Sequence, residues 1–309
     1  MRLKQLGEFG LIARLKETAS SRRDVIQGIG DDTAVLPLNS QKYLLLTTDM
    51  IVEDVHFTRS APPQAVGHKA LACNISDLAA MGGLPTYAVV SIGLPSDLTL
   101  SYVENLYRGI NRLAKEFNVG IVGGDTVRSS KITINIALLG QVEKKYLTLR
   151  SGARAGDWIF VTGSLGRSLP TKKHLMFTPR LKESRFLVER FKPSAMMDIS
   201  DGLSGDLNHI LKASRVGACL YEDQIPRSGA GTKRAASIHE ALYDGEDFEL
   251  LFTLSPAKAR RLINWQLKNK RWFFYSVGKI TPIPNRLEMK RRDGSTLQLK
   301  KEGYQHFKK

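Results

Sequence analysis

Asp31 and Asp32 are adjacent in "GIGDDTAVL", behind a Gly-x-Gly turn and ahead of an apolar strand. Neighbouring carboxylates repel, so such a pair needs positive charge opposite it. Other acids fall in comparable places: Asp49 after "LLLTT", Asp125 after "IVGG", and Asp77 inside an otherwise apolar helical run. In the second half, "MMDISDGLSGDL" carries Asp198, Asp201 and Asp206, and "YDGEDFELLF" carries Asp244, Glu246, Asp247 and Glu249. Strand ends of this kind are where α/β proteins build their sites. Carboxylates converging beside Thr hydroxyls offer the hard oxygen ligands that Mg²⁺ takes, and there is no Cys/His set for zinc. Mg²⁺ commonly completes its shell with phosphate oxygens. Gly28, Gly30, Gly123 and Gly124 would let the backbone approach such a phosphate closely. Taken singly, each motif has an ordinary explanation: a turn, a solvated helix residue, or, for "DISDGL", a helix N-cap. Their joint occurrence points to metal-assisted phosphate chemistry.

The common phosphate-binding signatures are missing. No G-x-x-x-x-G-K-[ST] occurs, and Thr33 stands where G-x-G-x-x-G would place its last glycine. H-R-D, D-F-G and G-x-S-x-G are also absent. "VTGSLGRS" reads as a plain strand-to-helix turn.

The elements that must hold these acids alternate along the chain. "KYLLLTTDMIV", "TYAVVSIGLP", "VGIVGGD" and "KITINIALLGQV" read as strands. "PQAVGHKALACNISDLAAMGG" and "SYVENLYRGINRLAKEFN" read as helices, the first with Leu71, Ile75 and Leu78 on one stripe and a Gly stop. This order predicts an α/β or α+β domain over residues 1–146. A Gly-rich joint in "LRSGARAGDWIFVTGSLG" opens a second α/β domain, residues 147–309.

The chain has 309 residues, enough for two domains with real cores, and a net charge of +16. From Pro256 to Lys309 there are 15 Lys and Arg against three acids. Such a surplus attracts nucleic acid, anionic membranes or phosphorylated ligands, or simply forms a solvated basic face. "RWFFYSVGKI" in this region reads as a buried strand rather than a stacking platform. Cys73 and Cys219 lack metal-ligand spacing and read as small core residues in a reducing cytosol. Glu8 interrupts the N-terminal apolar residues, so no signal peptide is expected. No run of about 18 apolar residues occurs, so no transmembrane helix is expected.

In order, "GEFGLIARL", "GIGDDTAVL", "TTDMIVEDVHF", "KALACNISDLAAMGGLP", "VGGDTVRS", "RSGARAGDWIFVTGSLG", "DISDGLSGDLNHI" and "GEDFELLFT" resemble the thiamine-monophosphate kinases. These belong to the superfamily of aminoimidazole ribonucleotide synthetase and selenophosphate synthetase. The resemblance extends to "GYQHF" near the C-terminus. It implies a two-domain aminoimidazole ribonucleotide synthetase-like fold, a homodimer whose N-terminal domains share a β-barrel, and a cytoplasmic enzyme. The implied reaction passes a phosphoryl group from ATP to thiamine monophosphate, giving thiamine diphosphate, with several Mg²⁺ ions. By resemblance Asp32, Thr47, Thr48, Asp49, Asp77 and Asp125 hold metal, joined by Asp198 and Asp201. Gly124, Asp125, Arg150 and Ser200 meet ATP, with Phe117 stacking near it. His56, Glu246 and Tyr304 meet the thiamine phosphate. Two departures stand out. The stretch after Gly166 is the short, basic "GRSLPTKKH", with Arg167 where the family carries an acid, and Phe117 lacks the hydroxyl often found at its position.

A phosphate acceptor is already ionised near neutral pH and needs no general base. Charge neutralisation and alignment would carry the transfer. Three alternatives stay open on the sequence: another ATP-using member of the superfamily, a nucleic-acid binder using the basic C-terminal region, or a homologue that binds nucleotide without turnover. The acid clusters argue against the second, because they repel a phosphate backbone.

Overall fold

The computed structural model describes residues 2–20 and 22–307. Two sheets organise it. The first contains β1 (Ala34–Pro37), β2 (Lys42–Val52), β3 (Leu84–Leu94), β4 (Gly120–Arg128) and β5 (Thr133–Glu143), in the order β1-β2-β5-β3-β4. Only the β3–β4 pair is parallel. The sheet is open within one chain, with β1 and β4 at its edges. The second sheet contains β6 (Trp158–Val161), β7 (Ala195–Asp198), β8 (Gly217–Tyr221), β9 (Leu250–Leu254), β10 (Tyr275–Thr281), β11 (Leu287–Lys290) and β12 (Thr296–Gln298). Its order is β12-β11-β8-β10-β6-β9-β7.

α1 (Leu3–Thr18) breaks at Gly7, which has φ 70° and is its one buried residue. α2 (Pro63–Ala80) and α3 (Leu100–Glu116) cover one face of the first sheet. The two helices touch backbone to backbone. A Cβ on Gly67 would lie 2.0 Å from the Leu106 carbonyl oxygen, and one on Gly109 would lie 2.0 Å from that of Gln64. Only glycine fits both sides of such a crossing. α2 is buried nearly all round because it also packs against α4 (Lys173–Met176), α5 (Leu181–Arg190) and β7. A helix apolar on every face is what that double role demands.

α6 (Leu203–Ser214), α7 (Ile238–Tyr243) and α8 (Pro256–Asn269) complete the second half. One apolar cluster joins the halves, with Leu71 and Ile75 of the first and Phe160, Leu187 and Phe252 of the second in the same core. A separate cluster packs α6 and α7 against the second sheet. Both cysteines are unpaired. No helix of the described residues is long and apolar enough to cross a membrane.

Phe117 lies deeper than an open stacking platform: it caps α3, continues the buried stripe of Leu106, Ile110, Leu113 and Ala114, and is 8 % exposed. Period-3.6 continuation of an apolar face explains its burial. "RWFFYSVGKI" also departs from expectation in its first residues. β10 begins only at Tyr275, Phe274 is buried, and Phe273 is exposed.

Candidate active site

The acids meet at the seam between the two halves. Asp32 sits in the turn before β1, Asp77 on α2, and Asp198 at the end of β7. Ligand oxygens of the three lie within 4.8 Å of one another. Each carboxylate is fixed by a partner. Thr47 Oγ1 donates to Asp77 Oδ2 at 2.6 Å, and Ser76 Oγ donates to Asp198 Oδ2 at 2.6 Å. The Arg150 guanidinium forks onto Asp32, with Nη2–Oδ1 2.7 Å and Nε–Oδ2 3.3 Å. The Arg150 amide donates to both Asp31 oxygens at 3.2 and 3.3 Å, so one residue ties down the whole Asp31–Asp32 pair.

The electrostatics show the strain of this gathering. Burial and then Asp49, Asp198 and Asp32 push the Asp77 carboxyl well above its ordinary value. Burial and Asp32 push Asp198 up to about 7, and burial and Glu8 push Asp201 up to about 7. Burial and Glu246 push Asp49 up to about 6. Asp31 rises to about 7 by burial and the neighbouring Asp32. Buried, mutually repelling oxygen donors without His or Cys suit a hard divalent cation such as Mg²⁺.

A cleft of about 220 Å³ opens beside the cluster. Asp49, Asp77, Asp198, Ser200 and Asp201 line it, with His56, Glu246 and Tyr304 also in its wall. Asp201 is not a helix cap. The N-cap of α6 is Gly202, with no side-chain cap; Asp206, inside the helix, accepts the Asp201 and Gly202 amides on Oδ2 at 3.1 Å, and the Asp201 side chain lines the cleft. His56 Nδ1 accepts the Val52 amide at 3.0 Å, which places any ring proton on Nε2. Burial, Lys69 and His306 hold that imidazole down at about 4, so it is neutral at physiological pH.

Thr48, Asp125 and Gly124 are not brought into this cluster. Strand alternation points Thr47 and Asp49 toward α2 and turns Thr48 to the opposite face, where its hydroxyl donates to Asn135 Oδ1 at 3.1 Å. Asp125 is exposed on the edge strand β4, outside the cleft. Gly124 lies against β3 so closely that a Cβ would be 1.8 Å from the Val90 carbonyl oxygen. Arg167 pairs with Glu240 at 3.2 Å.

Lys69 escaped sequence reasoning. It is 1 % exposed, and its Nζ donates to Glu246 Oε2 at 2.5 Å and to the His56 carbonyl oxygen at 3.1 Å. Lys69, Cys73 and Asp77 all line the cleft, at positions four residues apart on α2. A lysine eight residues before an aspartate in an apolar helix was the available signal. Glu8 and His306 were missed too; the His306 amide donates to Glu8 Oε2 at 2.9 Å, joining both chain ends at the cleft.

Both halves match known domain models: "AIR synthase related protein, N-terminal domain" over residues 30–142, and the corresponding C-terminal domain over residues 165–285. Fold and acidic seam thus define a two-domain protein of the AIR synthase related class. A thiamine-monophosphate kinase of Aquifex aeolicus is 40 % identical over 277 residues, covering 82 % of this chain and 87 % of that one. The Bacillus subtilis thiamine-monophosphate kinase is 33 % identical, covering 98 % and 100 %. A solved structure described as "AaThiL complexed with AMPPCP and TMP" superposes with a TM-score of 0.85 at 36 % identity, covering 99 % of each chain. The chain belongs to the thiamine-monophosphate kinase family.

Proposed function

We propose that this protein transfers the γ-phosphoryl group of ATP to thiamine monophosphate, giving ADP and thiamine diphosphate. One observation carries the reading: Asp32, Asp77 and Asp198, from three separate elements and both halves of the chain, converge within 4.8 Å. The relatives bear the corresponding name, and the similar solved complex holds AMPPCP, an ATP analogue, with TMP.

Asp32, Asp77 and Asp198 are the residues that would hold Mg²⁺, with Asp49 and Asp201 beside them in the cleft. Mg²⁺ held there would supply charge neutralisation and help align the phosphates. The chain's own contribution is preorganisation. Thr47, Ser76 and Arg150 fix the carboxylates in place before substrate arrives. Ser200 in the cleft wall and Arg150 beside it would meet ATP, Arg150 by releasing part of its hold on Asp32. Neutral His56 offers an Nε2–H donor to the acceptor phosphate, and Tyr304 offers a ring face to the thiamine end. Lys69 restrains Glu246 against the same wall. No residue is needed to deprotonate an acceptor that is already anionic.

The division into residues 1–146 and 147–309 is part of this reading. The first sheet ends at Glu143 and the second begins at Trp158. So is a homodimer with a shared barrel. The face of the first sheet opposite α2 exposes Leu46, Met50, Tyr87, Val89, Val122 and Val127, and β4 has a free edge. A partner sheet would bury both.

A coupled ADP-release assay tests the activity. ADP should appear with thiamine monophosphate, ATP and Mg²⁺, and should stop when EDTA is added. ADP release with a different acceptor and none with thiamine monophosphate would place the chain elsewhere in the superfamily.

A further inference from the structure

The positive charge of the C-terminal region is not used by the acidic cleft. From Pro256 to Tyr275 the chain carries six Lys and Arg and no acid. There α8 and the loop after it close with α5 around a separate hollow of about 470 Å³. Its floor is aromatic: Phe186 packs on Trp265 with centroids 4.3 Å apart and on Phe191 at 5.5 Å. Its rim is Arg190, Arg261 and Arg271. The Arg271 guanidinium lies 4.2 Å from the Trp272 ring centre, and that of Arg261 lies 5.8 Å from Phe191. No carboxylate pairs with any of the three among the described residues. Glu189, the acid next to Arg190, is taken by Arg185 at 2.8 Å. A merely solvated basic face has no reason to gather its arginines over the half-buried rings of Phe186 and Trp265.

Guanidinium groups read phosphate by paired hydrogen bonds, and aromatic faces read flat rings by stacking. We propose that this hollow is a second binding site, independent of the kinase cleft, for a nucleoside phosphate: the base against Trp265 and Phe186, the phosphate on the arginine rim. The same chemistry is offered by a free nucleotide and by a nucleotide unit of a single strand. No carboxylate lines the hollow, so binding there needs no divalent cation. That separates it from the cleft, whose aspartates repel phosphate when no cation is present.

Equilibrium dialysis of AMP against the full-length protein in EDTA, with fluorescence anisotropy of a labelled ten-nucleotide oligo(dA), tests this. Saturation by AMP near one per chain identifies the free nucleotide as ligand. Binding of the oligonucleotide alone, with log Kd rising by about 2 per tenfold salt for three phosphate contacts at roughly 0.7 each, identifies the strand. In either case the triple variant Arg190→Gln, Arg261→Gln, Arg271→Gln should weaken binding at least tenfold and leave ADP release with thiamine monophosphate within twofold of wild type. The proposal is overturned if neither probe binds, if the triple variant binds as well as wild type, or if polyglutamate of equal charge displaces the ligand as effectively as unlabelled nucleotide.

Discussion

Thr47 and Thr48 are neighbours of one chemical type, yet the pleat of β2 sends one hydroxyl to Asp77 and the other to Asn135 on the far face. The same residue-level accounting applies to the acids. Asp198→Asn keeps the size of the side chain and an oxygen for the Ser76 hydroxyl, but removes one charge from a repelling set. Without divalent cation its melting temperature should equal or exceed that of wild type, while kcat should fall about 100-fold or more, as when a group stabilising the transition state is lost. Scanning fluorimetry and the ADP assay read the two effects, and full activity in this variant would remove Asp198 from the site. His56 makes a pH prediction of definite sign. Its folded value of about 4 lies below the unfolded 6.5, so the stability from burying neutral imidazole is complete above pH 6.5 and lost as pH falls through 4. His56→Gln cannot lose it. The stability gap between wild type and this variant, read by urea titration at pH 7.5 and 4.5, should therefore shrink at the lower pH. The His56 ring proton should hold one chemical shift from pH 5.5 to 8 in NMR spectra.

At the scale of elements, α2 is the part on which the site depends. It carries Asp77 toward Asp32 and Asp198, Lys69 toward Glu246, and Asn74 toward the backbone of β2, where its Oδ1 accepts the Asp49 amide at 3.1 Å. The Lys69–Glu246 pair ties this helix to the loop before β9. Lys69→Met should cost about 3 kcal/mol in a urea titration, because Glu246 is left facing Asp49 without its cation. Adding Glu246→Gln should recover most of that loss, which a double-mutant cycle would register as coupling. Equal, additive losses would mean that the pair is not coupled. A second network pins the segment after Gly166. Glu249 accepts from Arg180 at 2.7 and 2.8 Å, Lys173 at 2.8 Å and Thr162 at 2.8 Å, while Asp247 accepts the Gly166 amide at 2.9 Å. The short, basic "GRSLPTKKH" is thus anchored by the acids of "GEDFELL", so those two acids serve the scaffold and not the cleft.

For the whole molecule, the carboxylate cluster spans the seam, so cation and nucleotide binding should report on both halves together. Mg²⁺ with AMPPCP at a hundredfold excess over Kd should stabilise the native state by about 2.7 kcal/mol. Asp201→Asn, on the far side of the seam from Asp77, should reduce that thermal shift, and an unchanged shift would confine the nucleotide to the first half. Val122→Lys, on the exposed sheet face, should turn a dimer into a monomer in sedimentation velocity. A wild-type monomer would refute the shared barrel directly. The sequence by itself determined β2, α2, β3 and β5 and the gathering of acids at their ends, because hydrophobic period and Gly stops are local signals. It could not show how deep Phe117 lies or which way Thr48 faces, since which face of an element is buried depends on what packs against it. Nor could it show Lys69 reaching Glu246, a contact across 177 residues of chain. Only the tertiary structure decided which acids face one another and which are spent on arginine, lysine or backbone, because charge pairing acts through space and leaves no period in the sequence.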